Sequence, residues 1–258
     1  LEEAIAVAAA EPRVAGAAHE RLAGILFRLR EGFAEAVEHA RAAAAIARET
    51  GDLRLLASAL GSQLVSEATL GRPEARETLA AAVALGDAGE ATRALGGATF
   101  SVAVARMWWE QLDEAVAGFG AVRTRAEALG DESSIPYADV LLAQAECLRG
   151  NLVAAAAYAD EATARAEQAG QETLAAYGLA LRALTAAYAG NEALARTEAH
   201  RALERAGSTA GRPAEQFATA ALGLLELSLG RDAEAVEVLA PLVAYARVHE
   251  MREPGLTR

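Results

Sequence analysis

The chain contains no lysine, a single cysteine and few aromatic residues. The first two shortages restrict the chemistry that these residues can carry out. Without lysine, these residues cannot supply a P-loop lysine, a Schiff-base lysine or an anchor for pyridoxal phosphate. The single cysteine, Cys147, cannot form an internal disulfide, which agrees with a cytoplasmic setting. Uncharged runs such as Ala94 to Ala105 are too short to cross a bilayer, so no membrane contact is predicted.

Positive charge is also scarce, because the formal net charge is -12 and the arginines are scattered singly along the chain. No basic stripe is available to neutralise a row of phosphates. Direct binding of nucleic acid is therefore not expected of these residues.

What the chain has in abundance is alanine, the best helix former, and a pattern that repeats. Glu-Ala-Val recurs at Glu35, Glu114 and Glu234, at gaps close to two and three copies of a unit of about 40 residues. Glycine followed by a capping residue, as at Gly150-Asn151 and Gly190-Asn191, marks the turns. The sequence predicts an all-α fold, a right-handed superhelical solenoid of about six antiparallel helix pairs.

We interpret residues 1-258 as one repeat domain and as a segment of a longer protein. Small residues such as Ala115, Ala155 and Ala195 recur where paired helices would cross closely. The second repeat departs from this pattern, so its register stays open by a residue or two. Pro241 is predicted to kink or interrupt the last helix. The predicted repeats span about 12-51, 52-90, 91-131, 132-171, 172-210 and 211-253.

The pattern resembles the tetratricopeptide repeat, as at Leu222-Gly223 followed by Gly230 and Ala235. The 40-residue, alanine-rich form is similar to the sensor region of large ATP-dependent LuxR-family transcriptional regulators of the maltose-activator type, which are bacterial. Segments 67-76, 224-231 and 252-255 carry that likeness. The resemblance implies a non-enzymatic segment that receives a protein, a peptide or a small effector in its concave groove.

In such regulators an upstream ATPase module binds ATP and a distant helix-turn-helix binds DNA. Neither module lies in this chain, so the resemblance implies no cofactor for this segment and a sensor role only. The alternative is a freestanding tetratricopeptide adaptor that binds a peptide or a partner helix. Both hypotheses are non-enzymatic.

Three aromatic residues occupy the same position in successive first helices: Tyr137, Tyr177 and Phe217. In tetratricopeptide arrays this position usually lines the concave face, where Gln144 and Arg182 would add polar contacts. Such a ladder would suit an apolar peptide, a sugar ring or a partner helix. The alternative is that these aromatic side chains pack between repeats.

Trp108 and Trp109 are adjacent, so on a helix they cannot face the same way. One is expected in the core, and the exposed one is a candidate for binding or self-association. The alternative is that it covers a gap left by the irregular second repeat.

The remaining chemistry-bearing residues offer no catalytic or metal constellation. The four histidines are interpreted as lying in separate repeats without ligand spacing, and no metal site is predicted. Cys147 is interpreted as a small core residue. Arg123 with Glu127, and Glu161 with Arg165, have the spacing of ordinary surface ion pairs on one helix.

Overall fold

A computed structural model describes residues 11-30, 32-86, 95, 98-207 and 212-252. The described part of the chain contains twelve α-helices and no strand, which confirms the all-α, tetratricopeptide-like solenoid class. The predicted turns near 86-89 and 207-211, and the ends of the repeats placed at 90, 210 and 253, lie wholly or partly outside the described residues. In chain order the helices are α1 (Pro12–Leu29), α2 (Phe33–Thr50), α3 (Leu53–Thr69), α4 (Ala75–Leu85), α5 (Ala98–Trp108), α6 (Leu112–Leu129), α7 (Ile135–Leu148), α8 (Leu152–Gln168), α9 (Glu172–Tyr188), α10 (Glu192–Gly207), α11 (Arg212–Ser228) and α12 (Asp232–Val248).

The residues fall into two compact units, one ending at Val122 and one beginning at Arg123, with α6 shared between them. In the first unit α1 packs on α2 and α3, and α3 packs on α4 and α5. In the second unit the first helices of successive pairs, α7, α9 and α11, pack side by side, and each contacts its own second helix. Whether the chain is one domain stays a prediction.

Short turns join the two helices of a pair, and their backbone follows the predicted punctuation. Gly150 and Gly190 adopt left-handed φ angles of 82° and 74°. The next residue caps the second helix, since Asn151 Oδ1 accepts from the Ala154 amide at 3.4 Å. In the third pair, which lacks this glycine, Glu110 takes the left-handed angle at φ 60°.

The core is thin and rich in alanine, as close helix crossings require. Ala36, Ala115, Ala155, Ala195 and Ala235 are all fully buried. In the irregular second pair it is Ala75 that is fully buried, at the start of a shortened α4. Helix α12 is unbroken from Asp232 to Val248, so Pro241 does not interrupt it.

Candidate functional site

The predicted aromatic ladder is only partly exposed. Tyr177 on α9 and Phe217 on α11 stack with ring centroids 5.5 Å apart and are 5% and 1% exposed. The Tyr177 hydroxyl donates a hydrogen bond to Gln144 Oε1 at 2.8 Å, and Gln144 is itself buried. Tyr137 on α7 is half-buried. Packing between repeats, the alternative left open for the aromatic side chains, therefore describes the surroundings of Tyr177 and Phe217, and Gln144 is bonded to Tyr177.

Arg182, the other predicted polar contact, points to neighbouring second helices. Its Nε lies 3.0 Å from Asp160 Oδ1 on α8, and its Nη2 lies 3.8 Å from Glu198 Oε1 on α10. The guanidinium is thus held by two carboxylates of the protein. A binding role for the five residues of the predicted groove stays a prediction, with Tyr137 as the aromatic member that reaches the surface.

The two tryptophans separate as their helical spacing predicts. Trp108 is 5% exposed, whereas Trp109 is half-buried. The guanidinium carbon of Arg76 lies 5.4 Å from the centre of the Trp109 ring, in cation-π range. Because Arg76 belongs to the short helix of the second repeat, this contact favours the gap-covering alternative for Trp109.

The ends of three first helices present apolar side chains that the sequence analysis did not single out. Leu148 on α7, Tyr188 on α9 and Leu227 on α11 lie within the last two residues of their helices. Tyr188 and Leu227 are each 50% exposed, and Leu148 is half-buried. We call these three residues the apolar strip. Leu148 and Tyr188 are separated by one 40-residue period and could have been found by that spacing. Leu227 lies one residue before the next period ends.

Cys147, which precedes Leu148 in the strip, is buried and unreactive. Its side chain is 5% exposed, and burial raises the pKa of the thiol to about 11. Burial raises the pKa of the Tyr188 phenol, and the charge of an ionised Cys147 raises it further. The phenol therefore lies near the sulfur. A thiol with a pKa this high carries almost no thiolate at neutral pH, so it is a poor nucleophile.

Buried charges form a second feature that the sequence analysis missed. Glu67 on α3 has no exposed side-chain surface and accepts hydrogen bonds from Gln63 at 2.8 Å, from Thr78 of α4 at 2.7 Å and from Arg41 of α2 at 3.0 Å. One carboxylate on a first helix therefore joins two second helices. We call such an arrangement a polar clamp.

The same arrangement recurs in the second unit. Asp139 on α7 is fully buried, with Arg123 of α6 at 2.7 Å and Arg165 of α8 at 3.7 Å. Burial raises the pKa of Asp139 to about 6, while the two guanidinium groups favour its charged form. On α11, Glu226 lies 2.6 Å from Arg196 of α10 and 3.3 Å from Arg231. Arg182 forms the clamp of opposite charge on α9.

The Asp139 clamp uses residues interpreted as surface pairs. Arg123 does lie 3.6 Å from Glu127 on its own helix, but its shorter contacts are with Asp139 and Glu161. Glu161 Oε2 lies 2.8 Å from Arg123 and 3.9 Å from Arg165. The interpretation as ordinary pairs on one helix is therefore incomplete, because the stronger partners come from neighbouring helices.

The interpretation of the four histidines as lying in separate repeats is wrong. His19 and His39 both belong to the first pair, and their Nδ1 atoms lie 2.8 Å apart. Within the described ranges, no group of three or more His, Cys, Asp or Glu side chains converges as metal ligands would. Nor is any described helix long and apolar enough to span a membrane.

Comparison with known proteins identifies the fold and no more. No protein-family model matches the chain, and no curated protein matches its sequence. Among solved structures, aspartyl phosphate phosphatase F from Bacillus subtilis is similar, with a TM-score of 0.63 and 13% identity. The alignment covers 93% of this chain and 67% of that chain. At this identity the likeness supports the tetratricopeptide-like fold alone.

Proposed function

We propose that the chain is a non-enzymatic protein-interaction module that binds a peptide segment of a partner across the apolar strip. The observation that carries this proposal is the half exposure of Tyr188 and Leu227 at the same end of two packed first helices. Large apolar side chains that stand half exposed at the same end of packed helices form a candidate binding surface, because one partner can cover them together. Repeat arrays bind in this way, through one face of successive units.

The charge of the chain indicates what kind of peptide would fit. With a net charge of -12, the protein repels acidic segments at long range and attracts basic ones. Next to the strip, the arginines Arg196 and Arg231 are engaged by Glu192 and Glu226. We therefore expect an apolar peptide with neutral or basic flanks.

A cytoplasmic sensor segment of a LuxR-family regulator is the finer form of this proposal. Its support is the resemblance of the 40-residue repeats to that family. A bound effector or partner would favour one arrangement of the repeats and so change how they dock on an ATPase module. The adjoining reading frame tests this form: a P-loop upstream and a helix-turn-helix downstream support it, and the absence of both favours the freestanding adaptor.

Selection from a displayed peptide library tests the binding proposal itself. We expect enriched peptides with two or three apolar residues and Kd values of about 1 to 100 µM by calorimetry. The purified chain should meanwhile show no ATP turnover and no tight binding of duplex DNA. Failure to enrich any peptide, or the appearance of either activity, would contradict the proposal.

A further inference from the structure

The first helix pair contains a hydrogen bond between two histidine rings. His19 on α1 and His39 on α2 approach with their Nδ1 atoms 2.8 Å apart and their ring centroids 5.0 Å apart. A hydrogen bond between two nitrogens needs one protonated donor and one unprotonated acceptor. The contact between these helices therefore depends on at least one Nδ1 atom being free of its proton.

The surroundings indicate which ring accepts. Glu35, one turn earlier on α2, places Oε1 3.7 Å from His39 Nε2. A carboxylate on this side favours a proton on Nε2, which leaves His39 Nδ1 as the acceptor and His19 Nδ1 as the donor. The carboxylate that follows His19 on α1 is Glu20. It accepts a hydrogen bond at 2.6 Å from the neutral Ser58 of α3, the other helix packed on α1.

We propose that the His19–His39 pair is a proton-sensitive contact that holds α1 against α2. A first proton on His39, whose Nε2 faces the Glu35 carboxylate, is tolerated, because His39 Nδ1 then donates and the neutral His19 ring accepts at its own Nδ1. The second proton, the one that separates the rings, then falls on His19. A second proton places two N–H groups and two positive charges against each other at 2.8 Å, and the rings must separate. This inference does not depend on the proposed function.

The direction of the pH effect follows from linkage. Burial, and then the neighbouring charge of His39, lower the pKa of His19 below its ordinary value of 6.5. The unfolded chain therefore takes up this proton at a higher pH than the folded chain does. The stability contributed by the pair is present above pH 6.5 and is lost as the pH falls below that value. Acidification should loosen α1 from α2.

Titration of the histidine ring protons of the whole chain by NMR is the direct test. We expect the pair to titrate in two steps separated by more than about one pH unit. Amide exchange in α1, corrected for intrinsic rates, should be about tenfold faster at pH 5 than at pH 7.5.

Variants separate the pair from general acid effects. His39→Gln should abolish the two-step titration and the extra exchange in α1 at pH 5, and His200→Gln should leave both unchanged. If His39→Gln does not fold, His19→Gln provides the same comparison. Single ordinary titrations for His19 and His39, or acid-dependent exchange in α1 that persists in the variants, would overturn the proposal.

Discussion

At the scale of residues, the described part of the chain contains charged side chains that are buried. Glu67 and Asp139 are fully buried, and taking a carboxylate out of water costs several kcal/mol. Glu67 is compensated by hydrogen bonds from two other helices, and the burial of Asp139 is offset only in part by Arg123 and Arg165, since its pKa stays raised to about 6. Either charge is best accommodated when the helices stack in one register. We infer that the polar clamps contribute more to specifying this register than to net stability.

Glu67→Ala tests the clamp of the first unit. Removing the carboxylate takes away the shorter hydrogen bonds of Thr78 and Gln63 and leaves Arg41 without its buried partner. We expect the free energy of unfolding to fall by about 2 to 4 kcal/mol in urea denaturation.

Glu38→Ala is the matched control for this measurement. Glu38 pairs with the same Arg41, at 3.3 Å, but is 69% exposed. Its removal should change stability by no more than about 0.5 kcal/mol. Equal losses from the two variants would show that Glu67 is no more than another surface partner of Arg41.

At the scale of elements, helix pairs are joined by close crossings at which glycine and alanine carry the packing. An added Cβ atom at Gly178 on α9 would clash with Thr163 Oγ1 and lie 3.1 Å from the Thr163 amide nitrogen on α8. The amide belongs to the backbone of the neighbouring helix and cannot move aside alone. This crossing therefore excludes even a methyl group.

Gly178→Ala and Gly120→Ala should have opposite effects. Both positions lie inside helices, where alanine is favoured over glycine by up to about 1 kcal/mol. A Cβ atom at Gly120 would meet nothing within 4 Å, so that variant should gain stability. Gly178→Ala should instead lose about 1 to 3 kcal/mol, because α8 and α9 must separate. Melting temperatures that rise in both variants would contradict the close crossing at Gly178.

The helix ends and turns could be predicted where neighbouring residues in the sequence determine them. Turns at Gly150 and Gly190 follow from a glycine that accepts a left-handed angle and an asparagine that caps the next helix. The polar clamps were not predictable in this way. Asp139 meets Arg123 and Arg165 only after three helices have packed, and a single sequence carries no signal for that meeting. His19 and His39 differ, because the predicted repeat at 12-51 already contains both, and only the direct contact of their rings was beyond the sequence.

At the scale of the whole molecule, the period of about 40 residues was sufficient to predict the class of fold, because every repeat needs its neighbours to bury its apolar face. The proposed binding surface was harder to predict. Tyr137, Tyr177 and Phe217 occupy equivalent positions in successive repeats and were predicted to line a groove. Tyr177 and Phe217 are instead buried between helices, where their rings stack. Which aromatic residues stay exposed depends on how closely the first helices approach, and alanine-rich helices approach closely.

The Kd of a selected peptide for strip variants tests whether the apolar strip binds a peptide. Val153→Ser is the matched control, because Val153 is 84% exposed but lies on the second helix α8. We predict that Tyr188→Ser combined with Leu227→Ser weakens binding by about tenfold or more, equivalent to about 1.4 kcal/mol. Val153→Ser should leave the Kd unchanged. An unaltered Kd in the double variant would contradict the assignment of the strip as the binding surface.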